Sequence, residues 1–90
     1  MAIAADYRIL DELLEPVGEC LTPDVAARIA GLRAHPQTQD RLDELAEKNA
    51  AGKLTRREEA EYEAYVEALD VIAILQAKAR KAVEAARRSR

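Results

Sequence analysis

The chain has 90 residues, of which 34 % are charged and 49 % hydrophobic, and carries a net charge of −3 with a pI near 5.2. That is the size of a single helical domain spanning residues 1–90, and a chain so short buries only roughly 60 % of the surface its unfolded form exposes. One His (His35), one Cys (Cys20) and one Ser (Ser89) leave no set of residues for a nucleophilic triad, a zinc site or a di-iron site.

Near the N-terminus Ile3, Tyr7, Leu10, Leu14, Val17 and Leu21 recur four and three apart, the stripe of an amphipathic helix. Pro16 interrupts that stripe. It lacks a backbone donor and disfavours a helical Glu15, so a kink or break is predicted there. Residues 1–21 are thus expected to form a loosely packed N-terminal helix. Thr22-Pro23-Asp24 opens a second helix. It combines a capping hydroxyl, a proline suited to the first position and an acid at the positive end of the dipole. Val25, Ile29 and Leu32 are its apolar edge, and His35-Pro36 ends it. A third helix runs from near Pro36 to near Ala51, with Leu42 and Leu45 as core residues and Gly52 as a left-handed stop. Cys20, beside Leu21 and Val17, reads as a small core hydrophobe, and His35 as a helix-end or surface residue.

Thr55-Arg56-Arg57-Glu58 is a capping box and the strongest helix start in the chain. No Gly or Pro follows it, so the last helix should run about 50 Å at 1.5 Å per residue and fray over a basic tail at residues 82–90. Tyr62, Tyr65, Leu69, Ile72, Gln76, Ala79, Val83 and Ala86 alternate three and four apart, a seam spacing. Val66, Val71, Ile74 and Leu75 extend the apolar surface around nearly every face. Such a helix is expected to be covered on several sides, partly by the preceding helices and partly by a second chain. The fold expected is all-α: three short helices plus a long C-terminal helix that forms an αα-hairpin with the third.

Charge is segregated along the chain. Residues 1–77 sum to −8 and residues 78–90 to +5. Glu58, Glu59, Glu61, Glu63, Glu67 and Asp70 follow one another with no base between. The simplest reading is a solvated face complementing the helix dipole; the sharper one is a negative face for a basic partner, such as one that grips DNA. The basic tail, with Lys78, Arg80, Lys81, Arg87 and Arg88, either complements the C-terminal dipole or meets phosphates or an acidic surface. No aromatic interleaves these bases, so nucleic acid is not the expected main partner. A single Cys, no basic apolar leader and no long apolar run point to the cytoplasm and away from the membrane.

The run Leu42-Asp43-Glu44-Leu45-Ala46-Glu47-Lys48, then Gly52-Lys53-Leu54-Thr55, Glu61-Tyr62-Glu63-Ala64-Tyr65-Val66 and Ile72-Ala73-Ile74-Leu75-Gln76-Ala77-Lys78-Ala79-Arg80, resembles a family of small bacterial helical proteins. The resemblance covers residues 22–81. Where that pattern has an acidic pair after the threonine cap, this chain has Arg56-Arg57. The resemblance implies a gene neighbourhood shared with HNH-type endonucleases, and hence an antitoxin-like or accessory partner of a nuclease. It identifies no binding residue.

The expected function is a non-enzymatic protein-interaction module without cofactor or metal. Its partner face comprises Tyr62, Tyr65, Leu69, Ile72 and Gln76 with Glu59, Glu63 and Glu67. The alternatives are a structural homodimer through the 62–83 seam, with Gln76 setting register, and a weak nucleic-acid binder through the basic tail.

Overall fold

The computed structural model describes residues 7–89, so Ile3 of the first stripe and Arg90 of the tail lie outside it. Every regular element among the described residues is an α-helix: α1 (Tyr7–Leu13), α2 (Glu15–Cys20), α3 (Pro23–Ala30), α4 (Pro36–Ala50) and α5 (Arg56–Arg88). Four helices, not three, therefore precede the long one. The extra boundary comes from the proline. Leu14 N still donates to Leu10 O at 2.9 Å, but Val17 N reaches only to Leu14 O. Pro16 cannot donate, and the first turn of a new helix is where no donor is required. The break consequently falls at Leu14, two residues ahead of the proline that causes it.

The other boundaries follow from their caps. Thr22 Oγ1 accepts from Val25 N at 3.4 Å to open α3. That helix stops at Gly31, short of the His35-Pro36 expected to end it, because glycine is a poor helix former. His35 occupies the cap position of α4, with Pro36 as the first helical residue. At the far end of α4, Gly52 takes φ +68°, Gly52 N donates to Asn49 O at 3.1 Å and Lys53 N to Lys48 O at 2.8 Å. These are the paired bonds of a Schellman stop, and only glycine enters that conformation without strain. The capping box of α5 is complete: Glu58 N donates to Thr55 Oγ1 and Thr55 N to Glu58 Oε1, both at 3.1 Å.

The chain divides into two compact units. One contains the residues up to Leu32 together with those from Val71 onward; the other is Arg33–Asp70. Helix α5 supplies residues to both. In the first unit Ala26, Lys78 and Ala79 are buried. In the second Leu45 is fully buried, as its place on the leucine stripe predicts, and it is the one large side chain so enclosed among the described residues.

The preceding helices cover the middle of α5 only in part. Val66, Leu69 and Ile72 stay 42 %, 42 % and 44 % exposed. A helix of 33 residues offers more apolar surface than helices of 6 to 15 residues can cover. Cys20 is likewise exposed rather than part of a core. It is the last residue of α2, where the chain turns away.

Candidate functional site

Three groups of side chains carry the charge and the open apolar surface. The first lies in the unit that holds α1, α2 and α3. Lys78 on α5 is only 5 % exposed, yet its Nζ donates to Glu15 Oε1 at 2.7 Å and to Asp11 Oδ1 at 3.0 Å. Asp11 and Glu15 stand four apart, so both carboxylates can converge on one ammonium across the α1–α2 break. The bond to Glu15 and then that to Asp11 raise the Lys78 pKa, against the pull of burial. The same bond holds the Glu15 carboxyl below its ordinary value, helped by Lys81 at 3.9 Å. A hollow of about 310 Å³ opens beside this pair, lined in part by Glu15, Gly18, Glu19 and Lys81.

This placement corrects one sequence-based assignment. The sequence groups Lys78 with the bases that could meet phosphate, but its side chain is buried and its ammonium is committed to two carboxylates of its own chain. Gln76 is also used internally. Its Nε2 donates to Leu32 O at 3.0 Å and to Ile29 O at 3.2 Å, so it closes the open end of α3. Carbonyls at a helix end need such partners. The amide that was expected to set the register of a homodimer is thus occupied.

The second group ties α4 to the opening turns of α5. Arg41 grips Glu61 with a two-pronged fork, Nε to Oε2 at 2.9 Å and Nη2 to Oε1 at 2.7 Å. Its Nη1 lies 3.0 Å from Glu44, and Lys48 Nζ donates to Glu58 at 2.7 Å. The Lys48 bond and the Thr55 amide together pull the Glu58 carboxyl down to about 2. Arg41 likewise lowers Glu61. Two acids of the run that reads as a continuous negative face, Glu58 and Glu61, are therefore spent inside the chain.

The third group is what remains open along α5. Glu59, Glu63 and Glu67 are exposed and make no ion pair among the described residues. Val66, Leu69 and Ile72 stand beside them at three-residue spacing. Tyr62 and Tyr65 are half-buried, and Tyr65 lines a shallow hollow with Glu61, Ala64 and Ala68. Most of the seam read from the sequence is thus turned inward: Tyr62, Tyr65, Gln76, Ala79, Val83 and Ala86 are half-buried or buried, while Leu69 and Ile72 are exposed. Of the basic residues, Arg80, Lys81, Arg87 and Arg88 are exposed, and Arg88 reaches Glu84 at 3.9 Å.

Among the described residues no cluster of His, Cys, Asp and Glu is placed to hold a metal ion, and no helix is long and apolar enough to cross a membrane. Comparison with protein-family models, curated proteins and solved structures finds no match to this chain.

Sequence reasoning missed the internal use of Lys78 and Arg41. A signal exists for Lys78: it interrupts an otherwise apolar stretch from Val71 to Ala79, broken elsewhere only by Gln76. A charged residue in such a stretch needs a partner of opposite sign, and Asp11 and Glu15 are correctly spaced to be one.

Proposed function

We propose that this chain is a non-enzymatic protein-interaction module, an antitoxin-like or accessory partner of a nuclease of the HNH type. The observation that carries the reading is the exposed ridge Val66, Leu69 and Ile72 on α5, flanked by the exposed acids Glu59, Glu63 and Glu67. Apolar side chains rimmed by charge are the usual composition of a docking surface. A basic partner surface would be drawn in by the acids and held by the ridge. In this reading α4 and the first turns of α5 act as a helical hairpin turned at Gly52, and the Arg41–Glu61 fork supports that arrangement. Fixing α5 in this way presents the ridge at low entropic cost.

Affinity capture of the tagged chain from its native cell extract, with mass spectrometry and size analysis, tests the reading. A stoichiometric basic protein, lost with L69E/I72E, is expected. Charge reversal at Glu59, Glu63 and Glu67 should slow its association at low salt and flatten the salt dependence. Capture that persists unchanged in both variants overturns the assignment of this face.

A further inference from the structure

One stripe of α5 is exposed along its whole length, and it is not the seam read from the sequence. In the Arg33–Asp70 unit it consists of Glu59, Glu63, Val66 and Asp70. In the other unit the same four-three spacing continues through Ala73, Ala77, Arg80, Glu84 and Arg87. Every one of these residues is exposed, and residues at this spacing share one side of a helix. Along the stripe the chemistry runs from acid, through small apolar residues, to arginine.

That order is self-complementary on reversal. Laid antiparallel against a second α5 in coiled-coil register, Glu63 faces Arg87 and Asp70 faces Arg80 of the other copy, while Ala73 faces Ala77. A two-fold axis makes every such pair twice. Val66 falls opposite the aliphatic stem of Glu84, whose carboxylate is already within 3.9 Å of Arg88 in its own chain. The alanines at the centre leave room for the helices to approach. None of Glu63, Asp70, Arg80 and Arg87 makes an ion pair among the described residues of one copy, so all four are open to a partner. A helix cannot fold back on itself, so its early acids cannot meet its late arginines within one chain.

We propose that this stripe is a self-association surface, and that its occupant is a second copy of the chain bound antiparallel along α5. The proposal rests on the reading of α5 as an interaction surface and adds a second copy to the foreign partner proposed above. A foreign basic surface would satisfy the acids but leave the arginines, set at the same spacing on the same side, without a role. The stripe is mostly charged, so the pairing is weak and falls with salt.

Sedimentation of the full chain over a concentration series up to about 1 mM tests the proposal. At low salt the mass should rise from monomer to dimer and return towards monomer in high salt. E63R/D70R and R80E/R87E each turn all the facing pairs into like charges. Each variant alone should bind itself on the order of tenfold more weakly, or worse. Mixed in equal amounts, the two variants restore every pair, two in the natural sense and two with their charges exchanged, and should form a heterodimer. Circular dichroism establishes that both variants keep their helices, as exposed substitutions should. A wild-type chain that stays monomeric overturns the proposal. So does a dimer that both variants leave intact, or one that the mixture fails to restore. A monomer that still captures a stoichiometric partner through Leu69 and Ile72 removes the second copy and leaves the module reading standing. A dimer that captures nothing removes the foreign partner and leaves the self-association.

Discussion

Lys78 shows how much one side chain's role depends on partners remote in sequence. Its ammonium is buried, whereas the carboxylates of Asp11 and Glu15 that hold it are exposed. The two ends of the pair should therefore respond differently to removal. In Lys78→Met the stem still fills its place, and the freed carboxylates turn to water. In D11N/E15Q the ammonium stays buried without an opposite charge, which is the costly way to break a buried pair. Thermal unfolding should drop by roughly 5 °C or less for Lys78→Met and by roughly 10 °C or more for D11N/E15Q. Equal drops would mean that the ammonium reaches water once its partners are gone. Sequence alone places Lys78 among the tail bases because six of them cluster after residue 77. The distinction between a buried base and a solvated one is made by α1 and α2, more than 60 positions away.

At the scale of elements the sequence is most legible where a signal is local. The Thr22-Pro23-Asp24 start, the Gly52 stop and the Thr55–Glu58 box all depend on atoms within a few residues, and each forms as its residues dictate. The Pro16 break is legible in kind but displaced to Leu14, because a proline fixes where a helix can restart rather than where the preceding one ends. Ion pairing across elements is invisible locally, and Glu58 belongs to both worlds. It completes the box of α5 and also takes the Lys48 ammonium. Its carboxyl sits at about 2 instead of the ordinary 4.5. Between those values the unfolded chain binds a proton that the folded chain refuses. Stability from this group is therefore whole above about pH 4.5 and lost as pH falls towards 2. Glu58→Gln should be less stable than the natural chain at pH 7, and the gap should narrow as pH drops through that window. Urea midpoints at pH 7, 4 and 3 measure it, and parallel curves would show that Glu58 is as easily protonated when folded as when unfolded.

For the molecule as a whole the decisive quantity is how little it buries. Leu45 is the one large side chain fully enclosed among the described residues, whereas Val66 on α5 is nearly half open. A thin core concentrates stability in few positions. Leu45→Ala should cost about 2–5 kcal/mol, the range for removing an enclosed leucine. In a domain this small that is a large share of the total. Val66→Ala at low concentration should cost no more than about 0.5 kcal/mol, as exposed substitutions do. The gap between the two should narrow as concentration rises. An interaction that exists only between copies stabilises the folded state by mass action, so Val66 gains weight when α5 is paired and Leu45 does not. Denaturation of both variants and the natural chain at dilute and concentrated protein separates the contributions. A Val66→Ala cost that stays flat with concentration would place Val66 outside any contact between copies. A cost that grows would mean that Val66, left open by the short helices, is covered by association.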